Sequence, residues 1–277
     1  MENKTCPIKK TALPNIKHII IVASGKGGVG KSTVAAGLAL SLAHEGYATG
    51  LLDADIFGPS VPMLFGLEDQ KPQVVKSDNG EQFVPFQKFG IKLMSIGFFI
   101  ENQQAVIWRG PRVSSGVSQL LNQTQWGNLD YLIIDTPPGT GDVHITLLQN
   151  FITSGVVVVT TPQELSLTDV KKAINLYHDK QIGIPVLGVV ENMAWFSPSL
   201  HPDEQYFLFG KGGGQALADE FKIPLITQIP INENLCATCD QGRLQQLFTD
   251  KVISAAFDKL VAAVSGYRFS PYKFVKP

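Results

Sequence analysis

Between residues 25 and 33 the chain reads Gly25-Lys26-Gly27-Gly28-Val29-Gly30-Lys31-Ser32-Thr33, which fits the pattern G-x-x-x-x-G-K-[ST]. The chemistry of that pattern is capture of a phosphate chain. Its glycines let consecutive backbone N–H groups turn toward an anion, and a helix starting at the end of the run adds the partial positive charge of its N-terminus. Lys31 is placed to neutralise β- and γ-phosphate oxygens, and the Ser32 hydroxyl to ligate Mg²⁺. A plain glycine turn between a strand and a helix would require neither group at those offsets. Residues Gly25 through Thr33 are therefore the candidate nucleotide-binding loop.

Carboxylates at strand ends would complete such a site. Leu51-Leu52-Asp53-Ala54-Asp55 closes one apolar run with two acids two residues apart; if both lay on the strand they would share a face, one serving the chemistry while the other braces the loop. Tyr131 to Asp135 is a second apolar run ending in an acid, followed by Thr136-Pro137-Pro138-Gly139-Thr140-Gly141-Asp142. Asp135 is placed to hold the hydration shell of Mg²⁺, and the loop after it to respond to a γ-phosphate; an ordinary helix-capping aspartate is the alternative. His144, just beyond, reads as structural. Asn192 and the stretch Ile229-Pro230-Ile231-Asn232 fall after further apolar runs, where ligands meet open α/β sheets, although Asn192 also suits a turn. Three cysteines occur in 277 residues, Cys6, Cys236 and Cys239. That count excludes a disulfide scaffold, and Cys236-Ala237-Thr238-Cys239 leaves open cluster ligation, an ordinary buried pair, or a redox or zinc role. Cys6 reads as a free thiol in a loose tail.

These residues need elements to hold them. Short β-branched runs at His18–Ala23, Thr49–Leu52, Tyr131–Ile134, Gly155–Thr160, Val186–Val190 and Leu225–Ile229 predict buried strands. Helical stretches at Ser32–His44, Leu167–Lys180, Gly213–Phe221 and Lys251–Val264 alternate with them. The alternation predicts a doubly wound α/β fold with a mostly parallel sheet covered on both faces. Gln82 to Phe99 reads as an insertion with one or two strands of open pairing. Length and a 44% hydrophobic content fit one large domain over residues 17–267, with loosely anchored tails at 1–16 and 268–277. Twenty-three Lys and Arg against 24 Asp and Glu give a net charge of -1, which predicts no general attraction for nucleic acid or an anionic membrane. No apolar run is long enough for a signal peptide or a membrane span, so a cytoplasmic location is expected.

Taken together, SGKGGVGKST, DADIFGPSVPMLFG, WRGP at Trp108 to Pro111, LDYLIIDTPPGTGD, TTPQELSLTDV, VVENMAWF and FGKGGG resemble the Mrp/ApbC iron-sulfur cluster carriers from about Ile16 to about Gly242. These belong to the deviant Walker A class of P-loop ATPases. The resemblance implies an ATPase that binds a cluster, expected to be [4Fe-4S], at a homodimer interface, and passes it from an upstream scaffold to apoprotein clients. It implies that Lys26 reaches the partner's nucleotide as an arginine finger would, that Asp55 positions or deprotonates the attacking water and approaches Mg²⁺, and that Asn192 meets the adenine; Pro230 is a candidate for the same contact only from its place at a strand end. A solvated loop lysine remains the plainer account of Lys26.

The family usually carries C-x-x-C between the segments matching Met193 and Phe209, and here that stretch has no cysteine. Cys236 and Cys239 lie downstream of it; two thiolates from each of two subunits would make four cluster ligands. His201 in the altered stretch reads as exposed, and Met193, Trp195 and Phe196 as core or as a client-facing patch. Two other readings stay open: a ParA/MinD-like positioning ATPase, which would need a basic surface or a basic amphipathic tail, and a regulatory ATPase that has lost the cluster.

Overall fold

The computed structural model describes residues 10–77, 80–100, 110–180, 182–198, 200–201 and 203–269. Cys6, Trp108, Arg109 and most of both expected tails lie outside them. In chain order the elements are β1 (Ile16–Ser24), α1 (Lys31–His44), β2 (Thr49–Asp53), α2 (Val61–Leu64), β3 (Val74–Ser77), β4 (Gly80–Phe83), β5 (Phe86–Lys88), β6 (Ile91–Ser95), α3 (Gly110–Gln123), β7 (Leu129–Asp135), α4 (Asp142–Asn150), β8 (Gly155–Thr160), α5 (Glu164–His178), β9 (Val186–Phe196), α6 (Gly213–Phe221), β10 (Leu225–Ile231), α7 (Glu233–Asp240) and α8 (Lys251–Ser265). Eight strands form one sheet in the order β10-β9-β8-β1-β7-β2-β6-β5, parallel throughout except for β5. This is the doubly wound α/β architecture, and the strands at its centre are buried on both faces, which is why they read as unbroken apolar runs.

Differences from the sequence expectation sit where local pattern is weakest. The stretch from Gln82 to Phe99 is no mere insertion: β6 pairs in parallel with β2 inside the main sheet, β5 closes its edge antiparallel, and β3 and β4 form a separate hairpin. Strand β9 runs six residues beyond Val190, so Asn192 is a strand residue and not a turn. Pro230 likewise lies inside β10, tolerated because β10 is an edge strand with a register shift between Ile229 and Ile231. Helix α5 starts at Glu164, a turn before the expected Leu167. Part of the expected N-terminal tail is held: Thr11 pairs with Phe151, and Leu13 packs on the core.

Helix α1 is buried nearly all round, because the sheet covers one side and α8 the other. Phe257 of α8 supplies the contact, lying against α1 at Gly37.

Candidate nucleotide site

Three neighbouring strands end together, and their ends make the floor of the site. The register sets Asp53 opposite Asp135 and also opposite Ser95, while Val22 stands beside Asp135 on the other side. The loop Gly25–Gly30 springs from β1 at this edge and leads into α1. Gly30 adopts φ 79°, and a side chain there would also strike the Asn192 amide nitrogen at 2.2 Å. Gly25 admits no side chain for a different reason: a Cβ would lie 2.2 Å from the backbone nitrogen of Val170 in α5. Only glycine satisfies both positions.

Lys31 is 6% exposed, and its ammonium stands 2.5 Å from Asp135 Oδ1, 3.7 Å from Asp55 Oδ2 and 3.4 Å from Ser32 Oγ. Burial pushes the Asp135 carboxyl up, and the Lys31 charge and hydrogen bond together with the Ser32 hydroxyl pull it back. Asp135 Oδ2 is buried without a hydrogen-bond partner among the described residues. That free oxygen, the Ser32 hydroxyl and Asp55 are hard donors of the kind Mg²⁺ takes alongside phosphate oxygens and water. Among the described residues no group of three or more His, Cys, Asp or Glu could hold a metal ion, so a cation here would depend on the nucleotide for the rest of its shell.

Asp53 does other work. Its Oδ1 accepts from the Asp55 N–H at 3.0 Å, and its Oδ2 from the Val61 N–H at 3.2 Å and the Ser95 hydroxyl at 2.9 Å. Strand β2 ends at Asp53, so the two acids are not same-face strand neighbours as their spacing suggested; Asp53 braces the loop that presents Asp55. Complete burial, with Asp135 as a second cause, pushes the Asp53 carboxyl up to about 8. Ser95 was missed by sequence reading because nothing in its neighbours marks it; its role exists only through the pairing of β6 with β2.

A cavity of about 730 Å³ opens over this floor, lined by Lys26, Lys31, Ser32, Asp55, Asn192 and Pro230 among others. Gly25, Val29 and Asp135 do not line it. Asn192 Nδ2 donates to the Val29 carbonyl at 2.8 Å, which ties β9 to the phosphate loop and leaves the amide oxygen as the acceptor. Cys236 and Cys239 belong to the same wall, one turn apart on α7. Cys236 is exposed, whereas Cys239 is buried, lies 4.0 Å from Thr33 Oγ1, and has its thiol pushed up to about 11 by burial. The cysteine-free stretch after Met193 leaves β9 and returns through a bridge between Phe196 and Tyr206; His201 is exposed there, and its Nδ1 lies 3.7 Å from Glu204.

A model of the family "ParA: NUBPL iron-transfer P-loop NTPase" matches residues 15–265. An iron-sulfur cluster carrier protein of Aquifex aeolicus is 49% identical over 232 residues, 83% of this chain and 62% of the relative, so the chain spans about three fifths of that relative's length. A solved nucleotide-binding protein of Archaeoglobus fulgidus, in complex with ADP, is 42% identical with a TM-score of 0.74, over 88% of this chain and 93% of that one. MinD in a MinC:MinD complex of Aquifex aeolicus shares the fold at 20% identity and a TM-score of 0.62, over 91% of this chain and 97% of that one. With a phosphate loop, its carboxylates and a family match over 251 residues from 15 to 265, the chain belongs to the NUBPL-type iron-transfer P-loop NTPases of the ParA group.

Proposed function

We propose that the protein is a Mg²⁺-dependent ATPase that carries an iron-sulfur cluster as a homodimer and passes it from a scaffold to apoprotein clients. The observation that carries the nucleotide half is the Lys31 ammonium, set between Asp135 and Asp55 at the base of the phosphate loop. In the loaded site Lys31 turns to the β- and γ-phosphates, Ser32 and Asp135 serve the cation directly or through its water, and Asp55 orients the attacking water and takes its proton. Mg²⁺ supplies charge neutralisation on the phosphates when bound. Lys26, partly exposed on the cavity lining, is suited to reach a partner's nucleotide. Asn192 offers its amide oxygen to the adenine amino group, and Pro230 an apolar surface to the ring.

Family membership supports cluster carriage, the cluster being cargo. Cys236 and Cys239 are its proposed ligands, two from each subunit, and their place on the nucleotide cavity ties loading to nucleotide state. One observation favours a second reading, a regulatory ATPase without a cluster: Cys239 is buried with a thiol that resists ionisation, and thiolate is the form that ligates iron. Anaerobic reconstitution with ferrous iron and sulfide separates the two. About one cluster per dimer, lost in Cys236→Ala and Cys239→Ala, supports the carrier. Full uptake in the double variant removes these ligands, and no uptake by wild type leaves the regulatory reading.

A further inference from the structure

Behind the site stands a pair of buried polar side chains that the proposed chemistry leaves unused. His144 lies in the first turn of α4 and Tyr177 in the last turn of α5, and both are fully enclosed. His144 Nε2 is 2.8 Å from the Pro137 carbonyl oxygen, and its Nδ1 is 2.8 Å from the Tyr177 hydroxyl. A carbonyl only accepts, so Nε2 carries the ring proton and donates it there. Nδ1 is then a lone pair, and the Tyr177 hydroxyl donates to it. Burial pushes the His144 ring down to about 4 and the Tyr177 phenol upward, so both stay neutral around neutral pH.

The loop held by His144 has few other ties. Thr136 donates to the Val22 carbonyl through its N–H at 3.3 Å and its hydroxyl at 2.9 Å, and the Gly139 N–H donates to the Ser24 carbonyl at 2.8 Å. Pro137 and Pro138 have no N–H to give. The Pro138 ring faces the phosphate loop at Gly27, beside Lys26. On the far side, Val170 precedes Tyr177 by two helical turns on the same buried face of α5 and meets Gly25. Helix α5 therefore touches the start of the phosphate loop directly and the loop after Asp135 through His144.

We propose that His144 is a positioning residue for the loop 136–141: its Nε2–H fixes the Pro137 carbonyl, Tyr177 fixes the ring, and movement of the loop with nucleotide state passes to α5. The inference rests on the reading of the chain as a nucleotide hydrolase. It is tested on the full chain with Tyr177→Phe, His144→Gln and His144→Leu, by steady-state ATP hydrolysis and by amide hydrogen exchange with ADP or a nonhydrolysable ATP analogue. Tyr177→Phe keeps the packing and loses one neutral hydrogen bond, so kcat falls about 5-fold while KM stays within about 2-fold. His144→Leu falls further. His144→Gln, whose amide can still donate to Pro137, recovers most of the loss, which a packing role alone would not produce. Exchange at Gly139 speeds up in Tyr177→Phe with either nucleotide. Turnover and exchange in Tyr177→Phe and His144→Leu indistinguishable from wild type overturn the proposal. Should wild type hydrolyse no nucleotide, the functional reading falls by itself, and Gly139 exchange still decides the positioning role of His144: faster in Tyr177→Phe supports it, unchanged overturns it.

Discussion

Lys31 and Asp55 sit 3.7 Å apart, and the roles proposed for them, phosphate binding and water activation, are tested separately. Lys31→Ala removes a charged donor that phosphate cannot replace, so ATP affinity should fall by about 100-fold or more, read by calorimetry. Asp55→Asn keeps size and polarity and loses the proton acceptor; nucleotide binding should hold while hydrolysis drops by roughly 10² to 10⁴. Equal turnover in that variant would remove Asp55 from the mechanism. His144 gives a pH signature. Its ring titrates near 4 in the folded chain against an ordinary 6.5, so the unfolded state takes up the proton first. The stability this provides is fully present above about pH 6.5 and is lost as pH falls through 4, an acid loss of about 3 kcal/mol. His144→Gln should flatten that part of the stability profile in urea melts taken from pH 7 to pH 4, and an unaltered acid slope would assign the loss to the carboxylates.

At the level of elements, α8 shows how local pattern and tertiary packing divide the information. Its helical stretch was legible in the sequence, and Asp250 caps it by accepting from the N–H groups of Val252 and Ile253. What it covers was not legible: α8 seals α1, the helix that carries the phosphate loop's last residues. Leu260 is fully buried on it. Leu260→Ala should cost about 2–5 kcal/mol in chemical denaturation and leave nucleotide affinity nearly unchanged, because Leu260 is not among the residues that line the nucleotide cavity. A loss of affinity without a loss of stability would mean that α8 acts on the site itself. Strand β6 teaches the complementary lesson. Its run Ile91–Ser95 looked like part of an insertion because its pattern is short and broken by Gly and Pro on its N-terminal side, and only pairing with β2 gives Ser95 a carboxylate to brace.

For the molecule as a whole, the prediction concerns the proposed homodimer. Lys26 lines the cavity and is partly exposed. Lys26→Ala should therefore retain nucleotide binding by one subunit and lose ATP-dependent dimerisation, with turnover lowered roughly 10-fold or more, since charge developing on the partner's γ-phosphate would go uncompensated. Sedimentation with a nonhydrolysable ATP analogue reads this directly. An unchanged dimer with unchanged turnover would make Lys26 a loop lysine.

The phosphate loop and the alternation of strands and helices were determined by sequence alone, because each depends on contacts among residues close along the chain: consecutive backbone N–H groups, a helix N-terminus, an apolar period. Tertiary structure decided everything that joins distant segments. Lys31 meets Asp135 across 104 residues, and it does so because β1, β7 and β2 are in a register that ends their strands together. The same is true of Asn192, whose bond to Val29 spans 163 residues, and of Cys239, which reaches Thr33 across 206. Sequence showed two cysteines three residues apart; the fold put them one turn apart on α7 and set them on the wall of the nucleotide cavity, since that placement follows from how α7 packs after β10 and not from any pattern within Cys236-Ala237-Thr238-Cys239.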